Sequence, residues 1–251
     1  MPDYATLAII CSIFLLAGFV KGFVGFGLPL VAIGLLTTIV GLQAAIALFL
    51  VPALCTNIWQ GFAGAHTGPL FRRYWTFFVP TMVFTFPGTL ALSRFDTNYL
   101  TALLGFLLCL FVVLSFSRPN FVVPGRLEKP LNPVMGVTSG ILAGMTGAFT
   151  IPGVVYLQAT RLPRDQLVQA MGMLFTLSTV GLGISMGSQN LLNWDLGLAS
   201  FAAFVPTFIG LMIGTRMRKR TTERSFRIVF LLALGLLGLY IVARSLTALY
   251  V

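Results

Sequence analysis

Two stretches hold the residues whose types and spacing can do chemistry in this otherwise apolar chain. One is Lys21-Gly22-Phe-Val-Gly25-Phe-Gly27-Leu-Pro29. The other is Ser139-Gly140-Ile-Leu-Ala-Gly144-Met-Thr146-Gly147-Ala148, closing with Thr150 and Pro152. Glycine permits positive φ and close approach, and proline opens a helix where its missing amide is not needed. A helix that restarts at such a break aims its free amides and positive dipole end at the break, which suits an anion. Two such tips are expected to hold an anion between them, with Lys21 as counter-charge and Ser139 as its polar equivalent in the second half. The competing reading is that the glycines let helices pack closely and that Lys21 anchors the chain at the inner surface.

Further polar residues lie inside apolar runs. Asn57 and Gln60 are three apart on one helical face, beside Cys55 and Thr56; Thr176, Ser178 and Thr179 occupy the related stretch of the second half. Each of these could hydrogen-bond an oxyanion, Asn57 and Thr176 foremost, or else join helices or bond its own backbone. All six acids (Asp3, Asp96, Glu128, Asp165, Asp195, Glu223) read as terminal, loop or segment-end residues. No carboxylate is then left for a proton relay or cation site inside a membrane. His66, the only histidine, sits at a segment end, and Cys11, Cys55 and Cys109 form neither a disulfide framework nor a metal motif. An intramembrane enzyme would need a Ser–His pair, a carboxylate pair or a metal cluster. The chain offers none, so no catalytic residue, metal or cofactor is expected.

The elements that must position these residues follow from composition. Of 251 residues, 57% are apolar and 9% charged, against about 25% charged in a soluble domain. With a mean hydropathy of +0.96, the solvent is a lipid bilayer, and a soluble enzyme or nucleic-acid binder is excluded despite the net charge of +10. The start, Met1-Pro-Asp3-Tyr4, has no basic region, so a cleaved signal peptide is not expected. Charge, glycine and proline divide the chain into eight apolar segments: 5–40, 42–65, 74–92, 99–117, 131–159, 166–189, 194–215 and 226–249. Six have the length of one crossing. The first and fifth are long and carry the glycine breaks.

The halves repeat. Phe78-Val79-Pro80-Thr81 with Gly88-Thr89 returns as Phe204-Val205-Pro206-Thr207 with Gly214-Thr215, an offset of 126. Gly18, Gly22, Gly25 and Gly27 echo Gly136, Gly140, Gly144 and Gly147. If the first and fifth segments are hairpins that return to their own side, thirteen Lys and Arg fall on one face and two, Arg94 and Arg244, on the other. Eight single crossings would split them nine against six, and cytoplasmic loops are the basic ones. The expected fold is therefore an all-α polytopic membrane protein. It has two inverted-topology repeats, 1–117 and 131–251, joined by a cytoplasmic loop at 118–130. Each repeat is a broken re-entrant helical hairpin plus three transmembrane helices, and both termini lie outside. At ~1.5 Å per residue the fifth segment is too short for two passes of ~30 Å, which favours re-entrant half-helices. Pro80 and Pro206 are expected to kink their helices.

The run Gly18-Phe-Val-Lys21-Gly22-Phe-Val-Gly25-Phe-Gly27-Leu-Pro29, its partner Gly140 to Pro152, and the four-plus-four layout resemble the TauE/SafE family of sulfite and organosulfonate exporters over the whole chain. The resemblance implies export of sulfite, sulfoacetate, thiosulfate or a related small sulfur oxyanion across a bacterial inner membrane. Transport of another small organic anion, such as a carboxylate, and a non-transporting scaffold or accessory subunit remain open as alternatives. The implied partners are the anionic sulfur compound and the bilayer; a homodimer is allowed but not specified.

Overall fold

The structure, a computed structural model, describes residues 4–117, 121–218 and 223–250. Asp3, Arg118, Lys219 and Arg220, all used above to read charge, lie outside the described residues. Among those described there is no strand. The helices are α1 (Tyr4–Val24), α2 (Leu28–Val40), α3 (Leu42–Phe62), α4 (Thr67–Val83), α5 (Thr85–Arg94) and α6 (Thr97–Ser117). They continue as α7 (Gly125–Thr146), a π turn (Thr150–Val154), α8 (Val155–Ala159), α9 (Arg164–Ser188), α10 (Trp194–Arg218) and α11 (Glu223–Tyr250). Among the described residues, seven helical stretches are long and apolar enough to cross a membrane: those of α1, α3, α4 with α5, α6, α9, α10 and α11. Large apolar side chains point outward, Trp194 at 81% and Leu236 at 69% exposure, as expected where the solvent is hydrocarbon rather than water.

Both glycine clusters break the helix, but only the returning arms are as short as half-helices. The first arms are full-length, 21 residues in α1 and 22 in α7. The returning arms are short: α2 has 13 residues, about 20 Å, and the second hairpin returns only through the π turn and α8. The connection expected at 118–130 is also shorter, because α7 already begins at Gly125 and takes Pro130 into its early turns. Proline acts differently at its several positions. Phe84 separates α4 from α5, its N–H bonded to the Pro80 carbonyl at 2.8 Å, whereas α10 runs unbroken through Pro206. In α3, Pro52 cannot bond the Leu48 carbonyl. The Ser200 hydroxyl donates to that carbonyl instead, at 2.8 Å, and accepts the Val51 N–H at 3.1 Å.

The chain divides into two compact units, each drawing on both halves of the sequence. Unit 1 is Met1–Pro52, Asp96–Phe116 and Asn193–Val251; unit 2 is Ala53–Phe95 and Ser117–Leu192. In unit 1, α1 lies along α10, and α2 folds back on α1 and α11. Phe19, Phe23, Phe226 and Phe230 pack there with ring centroids 4.2–6.4 Å apart. In unit 2, α7 lies along α4 and α5, with α9 packed against the same two helices. Gly61 and Gly172 allow α3 and α9 to touch backbone to backbone. Beside them Gln169 Nε2 donates to the Gly61 and Gly64 carbonyls, both at 3.1 Å.

Candidate functional site

The glycines of the two clusters divide into two physical roles. In unit 1, a Cβ on Gly18 would strike the Thr207 carbonyl. One on Gly22 would strike the Leu211 carbonyl and approach the Thr215 amide to 2.9 Å. In unit 2, the same additions on Gly140 and Gly144 would strike the Thr81 and Thr85 carbonyls, with the Thr89 amide at 2.7 Å from the latter. Gly214 and Gly88 return the contact, against the Phe19 and Ile141 carbonyls. Thr81, Thr85 and Thr89 match Thr207, Leu211 and Thr215 at the offset of 126. The facing threonines also make the same bond: Thr81 Oγ1 donates to the Phe77 carbonyl and Thr207 Oγ1 to the Ala203 carbonyl, at 2.8 and 2.7 Å. Gly22, Gly140 and Gly144 thus belong to close helix crossings, where apolar helices gain contact that lipid tails cannot supply.

Gly25, Gly27 and Gly147 do something else. They hold φ of 93°, 108° and 70°, a left-handed region that costs an L side chain roughly 1–2 kcal/mol. Gly25 N–H closes α1 on the Lys21 carbonyl and Gly147 N–H closes α7 on the Ala143 carbonyl, both at 2.8 Å. Gly27 then caps α2, with Pro29 in its first turn. The second break is longer. Thr146 Oγ1 donates to the Leu142 carbonyl at 2.7 Å and accepts the Ala148 amide at 3.2 Å, and Ile151 is extended (φ −120°, ψ 132°) inside the π turn.

Register also corrects one equivalence. With Gly18 matching Gly140 and Gly25 matching Gly147, Lys21 corresponds to Ala143, not to Ser139, which lies one turn earlier on the same face. Lys21 is 3% exposed and sits in the last turn of α1, where the carbonyl end of the helix favours a cation. Ser139 is 1% exposed, and its hydroxyl makes no hydrogen bond. A Cβ on Gly153 would meet that Oγ at 3.2 Å and the Leu174 side chain at 3.0 Å, which places Ser139 in the seam of α7, the π turn and α9.

Of the remaining candidates, Asn57 is buried in unit 2. Thr176 donates to the Gly172 carbonyl of its own helix at 2.8 Å, the backbone-bonded alternative raised above. Cys55 is exposed and faces away from Asn57. Among the described residues no group of His, Cys, Asp or Glu is placed to hold a metal. Lys21, Gly22, Gly25 and Gly27 thus belong to unit 1, and Asn57, Ser139, Gly140, Gly144, Thr146, Gly147 and Thr176 to unit 2.

Two hydroxyls named above and one carboxylate gain importance from the structure. Thr150 and Ser178 are buried hydroxyls of unit 2 without a hydrogen-bond partner. Unsatisfied buried hydroxyls are uncommon and call for a ligand or water. α9 is buried on most of its faces, so periodicity could not single out Ser178. Glu128 was assigned to a loop; it is 7% exposed in the first turn of α7. The available signal was the four-residue spacing of Glu128, Asn132, Gly136 and Gly140, which puts it on the buried stripe of α7.

Seven apolar stretches of spanning length among the described residues, with paired helices broken at left-handed glycines, define a polytopic membrane protein. The chain belongs to the sulfite exporter TauE/SafE family, whose model matches residues 10–241. That family consists of membrane transporters of sulfite-type anions, not of enzymes. No curated protein and no solved structure matches the chain.

Proposed function

We propose that the protein exports a small sulfur oxyanion, such as sulfite, sulfoacetate or thiosulfate, by alternating access. The anion is recognised at the hairpin breaks. Each break is read as an anion-recognising element of its own unit: Lys21 supplies positive charge beside the α1–α2 break, and in unit 2 the hydroxyls of Ser139, Thr150 and Ser178 are the donors. The observation that carries this reading is the burial of Lys21 at 3% exposure. An intramembrane cation is expensive and is retained where it serves a substrate or ion path. Export needs no coupling ion in a cell with a negative interior, since each negative charge moving out gains about 2.3 kcal/mol per 100 mV. The same reading takes the halves as inverted repeats with the basic connections in the cytoplasm and both termini outside a bacterial inner membrane.

The test is thermal unfolding of the detergent-purified protein at matched ionic strength with sulfite, thiosulfate, sulfoacetate, sulfate, acetate or chloride. A ligand at a hundred times its Kd adds ~2.7 kcal/mol. The expected result is stabilisation by sulfur oxyanions that disappears in Lys21→Met. Stabilisation by acetate alone would move the substrate class to carboxylates, and stabilisation that survives Lys21→Met would remove Lys21 from the site.

A further inference from the structure

The returning arm of the second hairpin is short and irregular. It runs only from Thr150 to Ala159 and is bent at Ile151, and a helix that short does not hold itself. A closed ring of polar side chains holds it from outside. Tyr156 O–H, on α8, donates to Asn132 Oδ1 at 2.6 Å, with the Glu128 carbonyl also at 3.3 Å. Asn132 Nδ2 donates to the Arg73 carbonyl of α4 at 3.3 Å. Arg73 Nε and Nη2 donate to Glu128 Oε2 and Oε1 at 2.9 and 2.6 Å, which returns the ring to α7. Asn132, Tyr156 and Glu128 are 1%, 5% and 7% exposed, so a lost member would leave its neighbour buried and unpaired. The Tyr156 ring packs on Phe77, with centroids 5.3 Å apart. Unit 1 has no counterpart: the register mates of Arg73, Glu128 and Asn132 are Ala199, Thr6 and Ile10.

We propose that Tyr156, backed by Asn132 and the Arg73–Glu128 pair, is a positioning residue for transport. Its hydroxyl keeps the returning arm in register with α7, and so holds the Thr150 hydroxyl at the break and Gly153 against Ser139. This rests on reading the second break as part of the anion site, and the test separates the two claims.

In a background with Cys11, Cys55 and Cys109 changed to serine, Thr150→Cys reports on the second break and Phe26→Cys on the first. Both are labelled with methyl methanethiosulfonate. Adding Tyr156→Phe is expected to raise the labelling rate at position 150 at least tenfold and to leave position 26 unchanged. Asn132→Leu should do the same. Arg73→Glu and Glu128→Arg should each raise the rate singly and restore it when combined. In proteoliposomes with native Thr150, Tyr156→Phe should raise the KM for sulfite at least fivefold. An unchanged rate at position 150, or an equal rise at both positions, would overturn the proposal. Absence of sulfite transport in the unmodified protein would instead overturn the anion reading, while the labelling result still decides what Tyr156 holds.

Discussion

In unit 1 the long arm of the hairpin carries Lys21 one turn before Gly25, whereas in unit 2 the same register carries Ala143 one turn before Gly147. The backbone devices are shared: a left-handed glycine ends each long arm, and glycines pack each arm against a helix bearing the Phe-Val-Pro-Thr run. The surroundings diverge. Unit 1 surrounds its break with phenylalanine rings and the buried Lys21 side chain. Unit 2 has buried hydroxyls beside its break and, toward the other end of α7, the Tyr156–Asn132–Glu128–Arg73 ring. Two breaks built with the same backbone devices can therefore differ in the side chains around them. A Cβ at the crossing glycines would meet backbone, which leaves them the least room to vary.

The comparison can be broken first at its shared part. Gly22→Leu and Gly144→Leu should each cost about 3 kcal/mol or more through overpacking, seen as loss of folded protein in the membrane or a collapse of the thermal midpoint. If either variant folds normally, the crossings are not equivalent. It follows that Gly144→Leu is a test of folding and not of the anion site. Next in size is the charge difference. Lys21→Met should lower sulfite flux in proteoliposomes at least a hundredfold, about 2.7 kcal/mol of barrier, with the fold intact. Ala143→Lys should not compensate for it, because unit 2 is built for neutral donors.

The left-handed glycines sharpen the comparison by predicting equality. Gly25→Ala and Gly147→Ala should each destabilise by about 1–2 kcal/mol in thermal unfolding, and a clear difference between them would show that one break relaxes more readily. The smallest effect concerns the hydroxyls. Ser139→Ala removes a buried donor that has no protein partner, so the anion-free protein should gain up to ~1 kcal/mol. Its sulfite affinity should fall about fivefold to tenfold, roughly the worth of one hydrogen bond. Ser139→Ala with unchanged affinity would leave Lys21 as the tested anchor and return Ser139 to packing.

Much of this was legible in the chain itself. Apolar run length and charge scarcity determined an all-helical membrane protein, because a bilayer demands that backbone groups be satisfied within each segment. Glycine spacing marked both breaks, and the repeated Phe-Val-Pro-Thr runs marked the helices that turn out to face them. The tertiary structure alone decided which helix each hairpin meets. Gly18 packs on Thr207 from the far half of the chain, and Gly140 packs on Thr81 from the other. Lipid and helix faces are equally apolar, so hydropathy carries no information about that choice. For the same reason the match of Lys21 with Ala143, the burial of Glu128 and the unpartnered hydroxyls of Thr150 and Ser178 had no local signature strong enough to read. Each depends on backbone approach across more than fifty residues of sequence or on a pairing such as Arg73 with Glu128, and only packing sets those.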